Sequence, residues 1–325
     1  MYKRQASYVQ RLAQSAPAAW DPPVALGSAT MGGGSKWAAG ERRSLRKEGA
    51  VSAPPAEAPR DMETFLSAES LPAARAAAGA VIAAVRLVLS GRHRNAFAAV
   101  RPPGHHAGRH GAALGADSQG FCLLNHVAIG ARFALLAHAG IERVAIIDFD
   151  VHHGNGTEEL FAHDPSVLVA SVHVHDSSAI SPFYPASSGG FAPAGDGATC
   201  GKCDEWAEGG GGGALNAPLP RGAGVQAFRH AFESVLCPRV EKFAPQLILL
   251  SAGFDAHAED PLGGAHDGGP ALREDDFAWL TARAVALADR VCGGRLVSVL
   301  EGGYQPQVLR RCVRAHVLAL AGERA

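Results

Sequence analysis

The sequence predicts an α/β domain of three layers, with helices covering both faces of a mainly parallel sheet, and three observations lead to it. From about residue 72 onward, short apolar runs of strand length alternate with longer segments of helical spacing. The short runs are apolar at nearly every position, as strands buried on both faces must be. Most of them also end in a cluster of Asp, His, Gly or Pro, residues that stop a strand and build a turn or a site.

Each element follows in order. Met1 to about Arg60 is rich in Ala, Gly, Pro and Ser, with only a hint of a helical turn at Tyr8–Leu12, and reads as loop or a partial N-terminal segment. The domain proper is expected over residues 61–325. Pro72–Ser90 is Ala-rich with the spacing of a buried helix, and Ala96–Val100 is a short strand. A Pro/Gly/His loop runs from Arg101 to about Gly120, followed by a helix over His126–His138. Val144–Phe149, Val167–Val172, Gln246–Ser251 and Arg295–Leu300 read as buried strands; Val225–Phe243, Arg273–Arg290 and Pro306–Leu320 read as helices. Ser177–Leu219, with its Gly209–Gly213 run, shows neither period and reads as a long surface excursion.

Composition narrows the function. A chain of 325 residues with 47% apolar content can bury one large core. A net charge of -1 gives no basic footprint for direct nucleic-acid binding, and the run Arg42, Arg43, Arg46, Lys47 reads as a solvated loop. The apolar stretch Ala76–Val85 is closed by Arg75 and Arg86, too short to predict a membrane span. Most of the six cysteines are isolated in apolar stretches; Cys200 and Cys203 form a C-x-x-C without a second pair and read as loop. No leader pattern is visible, so a soluble intracellular protein, nuclear or cytoplasmic, is expected. Nothing in the pattern sets an oligomeric state.

The unusual residues fall at strand ends: Arg101–His106, Asp148–Gly156, Ser171–Asp176, Ser251–Asp260 and Glu301–Tyr304. In a parallel sheet those ends face a common crevice, so the residues should converge there. Asp148, Asp150 and His152 alternate at period two, which points them to one side of an extended chain. Two carboxylates and an imidazole gathered without solvent oppose one another unless a cation sits among them, and Zn²⁺ accepts such ligands. A third ligand is needed from another strand end. Asp255 in Ser251-Ala-Gly-Phe-Asp255 is best placed, with His257 and Asp260 as competitors.

Five blocks carry a family resemblance: Arg101-Pro-Pro-Gly-His-His-Ala107, Gly120-Phe-Cys-Leu-Leu-Asn125, Ile147-Asp-Phe-Asp-Val-His-His-Gly-Asn-Gly156, Ser251-Ala-Gly-Phe-Asp255 and Leu300-Glu-Gly-Gly-Tyr304. In order and spacing they resemble the zinc-dependent histone deacetylases over roughly Glu63–Leu320, with Asn155 and the Leu-Glu-Gly-Gly-Tyr block similar to the class II branch and its bacterial relatives. The resemblance implies an arginase/deacetylase-like fold and Asp150, His152 and Asp255 as zinc ligands. It implies His106 as general base, His105 in support, Asp148 and Asn155 orienting His105 and His106, and Tyr304 as donor to the oxyanion. It implies Gly120, Phe121 and Tyr184 along the channel for the lysine stem, Leu262 at its rim, and a monovalent cation such as K⁺ near Asp148 and Ser171. The implied reaction is hydrolysis of acetyl-lysine amides in a histone or other protein, releasing acetate.

The resemblance also sets expectations of difference. About seventy residues that family members carry ahead of Tyr8–Leu12 are not found here, judged against ordinary domain size. The rim acid corresponds to Glu63 in Asp61-Met-Glu-Thr, one methylene longer than the family's Asp. Three other functions compete: an acetylpolyamine or small-amide deacetylase, for which an acidic rim rather than Leu262 is expected; a binuclear manganese ureohydrolase, which needs further ligands; and a silent binding scaffold.

Overall fold

A computed structural model describes residues 63–113, 116, 118–176, 182–185 and 212–323, together with the backbone of Val24–Ala25. Most of residues 1–60, Asp61, and the Cys200–Cys203 pair lie outside the described residues. Six strands form the main sheet: β3 (Asn95–Ala98), β6 (Val144–Asp148), β7 (Val167–Val174), β8 (Gly213–Leu219), β9 (Leu247–Ala252) and β10 (Leu296–Leu300). Their order is β3-β10-β9-β6-β7-β8, and every neighbouring pair is parallel. Two-residue strands make two small ribbons outside it, β1 (Val24–Ala25) with β2 (Phe65–Leu66) and β4 (Ala107–Gly108) with β5 (Gly111–Ala112).

Alternation along the strands splits the core in two. Val144 and Ile146 of β6 join Leu247 and Leu249 of β9 beneath helices α1 (Ser70–Leu89) and α2 (His126–Ala137). Ala145 and Ile147, with Ile248 and Leu250, face the opposite layer. That layer contains α5 (Glu274–Cys292), α6 (Pro306–Ala321) and α4, which runs as Val225–His230, a π-helical segment Ala231–Leu236, and Cys237–Phe243. A short helix α3 (Asn155–Phe161) leaves the end of β6. Both sheet faces are therefore covered, as the unbroken apolar strands require.

Among the described residues, one helix, Ser70–Leu89, is long and apolar enough to cross a membrane by length and composition alone. Here Ala77, Val81, Val85 and Val88 on it are packed in the core. The four described cysteines, Cys122, Cys237, Cys292 and Cys312, are free and buried, as small apolar residues would be.

The structure differs from the sequence reading at Gly213–Leu219. This end of the Ser177–Leu219 stretch is not surface excursion but edge strand β8, paired with β7 from Leu168↔Gly213 to Val174↔Leu219. Gly, Asn216 and Pro218 hide its strand character, and Pro218 is tolerated because an edge strand pairs on one side only.

Beyond β6 the chain order runs outward through β7 and β8, then returns to the other side of β6 for β9 and β10. The switch of direction between β6 and β9 opens the crevice at their carboxyl ends. Phe149 and Phe254, which follow those two strands, pack edge-on to each other at 6.2 Å, and Phe254 meets Phe277 of α5 at 5.2 Å. All three are fully buried. Phe277→Ala is expected to destabilise the domain by about 3–5 kcal/mol, read by denaturant unfolding, because the void lies in a packed cluster that cannot collapse.

Candidate metal centre and active site

The crevice gathers Asp150, His152 and Asp255, which offer one ligand atom each within 4.8 Å of one another. His152 Nδ1 is 3.2 Å from Asp150 Oδ1 and 3.0 Å from Asp255 Oδ2. The spacing seen in the sequence has a local cause. β6 ends at Asp148, and from there each carboxylate accepts an N–H two residues on: Asp150 N–H to Asp148 Oδ1 at 3.0 Å, His152 N–H to Asp150 Oδ1 at 2.9 Å. Consecutive turns of this kind carry the period of two past the end of the strand. Asp255 is tied in through Oδ1, which accepts Val151 N–H at 3.1 Å. The competitors are used elsewhere: Asp260 accepts the N–H of Leu262 and of Tyr304, and His257 Nδ1 accepts Glu259 N–H.

Two glycines make this close packing possible. A Cβ at Gly253 would run into Asp150, and one at Gly302 into Asp255 and Asp150. Gly302 N–H instead donates to Asp150 Oδ2 at 2.8 Å.

The histidines stand beside this cluster. His105 Nδ1 is bonded to Asp148 Oδ2 at 3.0 Å, and His106 Nδ1 to Asn155 Oδ1 at 2.8 Å. Asn155 Oδ1 also accepts Gly156 N–H at 3.0 Å, which fixes that atom as the oxygen. His106 therefore donates from Nδ1 and keeps a lone pair on Nε2. Their titration diverges. Burial opposes a charge on His105, but Asp150 and Asp148 outweigh it and raise its pKa to about 10. Burial, then the neighbouring His105 and His152, push His106 well below the ordinary imidazole value. Adjacent residues are thus pushed in opposite directions, His105 up by the carboxylates of Asp150 and Asp148 and His106 down by burial and its histidine neighbours.

Burial and the nearby Asp150 carboxylate lift Asp255 to about 7. Two carboxylates here resist joint ionisation, which is the conflict that a divalent cation removes. The O, N, O donor set, fully or nearly buried, fits such an ion.

Around the cluster, Phe121 (φ 67°) and Gly120 (φ 50°) form a tight turn whose aromatic ring meets Tyr304 edge-on at 5.5 Å. Tyr184 stands perpendicular to His106 at 4.8 Å, and its Oη donates to Ser118 C=O at 2.9 Å. Leu262 is 42% exposed, and its N–H donates to Asp260 Oδ1 at 3.0 Å. Glu63 accepts from Ser118 Oγ at 3.0 Å on the same turn. Asp148 and Ser171 are register partners on β6 and β7; Ser171 Oγ is bonded to His173 Nδ1 at 2.8 Å.

A profile described as the histone deacetylase domain matches residues 5–320. The chain belongs to the histone deacetylase family. It is 44% identical over 261 residues to type-2 histone deacetylase 2 of Dictyostelium discoideum, a match covering 79% of this chain and 14% of that protein. It is 38% identical over 252 residues to the histone deacetylase-like amidohydrolase of Pseudomonas aeruginosa, covering 78% of this chain and 59% of the relative. The solved HDA15 HD domain superposes with a TM-score of 0.64 at 34% identity, covering 81% of this chain and 66% of that one. The chain thus spans from about a seventh to three fifths of the length of these curated relatives. Its three layers form the arginase/deacetylase fold.

Set against the family motifs, the strand ends bring Asp148, Asp150, His152, Asp255, His105, His106, Asn155 and Tyr304 together. Phe183 escaped the sequence reading, and Asp260 and Arg101, named there as a competing ligand and as part of a strand-end block, take other places. Phe183 stacks on His152 at 5.2 Å, and Arg221 lies over the Phe183 ring, 5.1 Å from its centre. Asp260 anchors the Tyr304 backbone at 2.7 Å. Arg101 lies 5.4 Å from the Tyr304 ring centre. The aromatic pair Phe183-Tyr184 ahead of Pro185 was the available signal for Phe183.

Proposed function

We propose that this histone deacetylase-family chain is a zinc-dependent protein lysine deacetylase, cleaving the acetyl-lysine amide of a histone or other protein to lysine and acetate. The observation that carries the reading is the meeting, in one buried crevice, of Asp150, His152 and Asp255 with the His105–His106 pair and Tyr304. Asp150, His152 and Asp255 would hold Zn²⁺, which when bound supplies Lewis acidity at the amide carbonyl and lowers the pKa of water. His106, neutral and with Nε2 unprotonated, takes the proton of the attacking water. His105, oriented by Asp148, provides electrostatic and proton support. The Tyr304 hydroxyl donates to the oxygen that gains negative charge. Phe121 and Tyr184 flank the four-carbon stem, which suits apolar walls, and Leu262 sits at the entrance. A monovalent cation near Asp148 and Ser171 is the subsidiary part of this reading.

The test is hydrolysis of matched acetyl-lysine peptides and acetylpolyamines by the purified chain, with metal content measured. One zinc per chain is expected, with activity lost to a strong chelator and restored by Zn²⁺, and with peptides preferred. Full activity in chelator defeats the metal mechanism, and two Mn²⁺ per chain points to ureohydrolase chemistry. The same assay in potassium against choline chloride tests the monovalent site. A second reading, deacetylation of small amides, draws support from the relative named an amidohydrolase; faster turnover of the polyamines would favour it.

A further inference from the structure

Glu301 is a fully buried acid at the carboxyl end of β10, outside the ligand set and the histidine pair. Its Oε2 accepts two successive backbone N–H groups, Gly104 at 2.6 Å and His105 at 3.1 Å. Its Oε1 accepts from Ser251 Oγ of β9 at 3.3 Å. The clamp is reciprocal: Arg101 Nη1, at the start of the same loop, donates to the Glu301 carbonyl at 2.5 Å. We propose that Glu301 is a positioning residue whose carboxylate fixes the backbone of Gly104 and His105 and so aims the histidine pair at the ligand cluster.

The loop needs such an anchor. Residues 101–106 belong to no strand of the sheet. At Gly104 the backbone passes so close to the start of α2 that a Cβ would lie 2.7 Å from His126 N and 2.8 Å from Leu124 O, so no side chain there can hold it. The Asp148 and Asn155 bonds orient the two rings and act on side chains, not on the backbone. Thr157 N–H holds the His105 carbonyl at 3.0 Å from one side; Glu301 holds the His105 N–H from the other. Burial pushes the Glu301 acid up to about 7, so the group is kept here at an electrostatic cost that its backbone bonds offset. Arg101, the other arm of the clamp, also lies over the Tyr304 ring, 5.4 Å from its centre.

The inference rests on the reading of His105 and His106 as the proton-handling pair, and its test separates the two. In the full zinc-loaded chain, Glu301→Gln preserves the geometry: its amide oxygen can accept both N–H groups while its NH₂ donates to Ser251 Oγ. Glu301→Ala removes the anchor. Glu301→Gln is expected to keep kcat within about fivefold, whereas Glu301→Ala loses about 100-fold in kcat with zinc content and KM nearly unchanged. Independently of turnover, the Gly104 and His105 amides should exchange with solvent at least about tenfold faster in Glu301→Ala while those of β6 and β9 stay protected. Wild-type kcat in Glu301→Ala, equal loss in both variants, or unchanged exchange at 104 and 105 overturns the proposal. Should Glu301→Ala not fold, Glu301→Asp, a methylene too short, takes its place with the same outcomes. A wild-type chain inactive on acetyl-lysine peptides would instead sink the proposed function, leaving amide exchange to decide the anchor.

Discussion

Asp255→Asn is expected to give a folded protein that no longer retains zinc and whose hydrolytic rate falls by about three orders of magnitude or more. The change is isosteric. The amide oxygen can keep the Val151 N–H bond now made by Oδ1 at 3.1 Å, and the NH₂ can face His152 Nδ1, 3.0 Å from Oδ2. What disappears is one of two negative charges in a site where burial already opposes charge, and with it the charge balance that favours a divalent ion. Two measurements check it. After dialysis, zinc per chain should fall from one to near zero; and added Zn²⁺ should raise the melting temperature of the wild type but not of the variant, since only a ligand bound by the native state stabilises it. A variant with one tightly held zinc and normal turnover would take Asp255 out of the metal centre and the proposed chemistry with it.

Tyr304→Phe should lower kcat about 100-fold or more while zinc stays bound and KM changes little. Nearly everything that places the ring survives the substitution. The backbone N–H still donates to Asp260 Oδ2 at 2.7 Å, Phe121 still meets the ring edge-on at 5.5 Å, and Arg101 remains 5.4 Å from its centre. Only the hydroxyl is lost. Burial, followed by the charges of Asp255 and Asp150, pushes that hydroxyl well above the usual phenol pKa, so at neutral pH it stays a proton donor. A donor aimed at charge that develops only in the transition state affects kcat rather than binding. Steady-state kinetics of the two proteins decide it; an unchanged kcat removes Tyr304 from the reaction.

Much of the site was legible because its chemistry is written in positions that a buried core would not choose. Apolar runs ending in Asp148, Ser251 or Glu301 announce strand termini, and Asp150, His152 and Asp255 are polar residues with no reason to be buried except one another. Gly253 and Gly302 belong to the same logic, since backbone must press against carboxylates there. The neighbour order of the strands was not legible. Periodicity says that Val144–Asp148 and Leu247–Ala252 are strands, but not that they adjoin. β8 was hidden because Asn216 and Pro218 interrupt an edge strand at little cost, and Phe183 because it lies in a stretch with no period of its own. The π-helical turn at Ala231–Leu236 answers packing on β7 and β8, which no composition announces.

The ligands of the centre come from two strands that lie side by side yet stand about a hundred positions apart in the chain, on either side of the point where the sheet reverses its direction of growth. Asp148 is paired with Ser251 across that seam. Such distant partners meet late, after the intervening chain has been organised. On the proposed zinc reading, the ion would be loaded into a nearly finished protein, and its capture would report on completed folding rather than direct it. Zinc uptake during refolding should trail the recovery of helical structure.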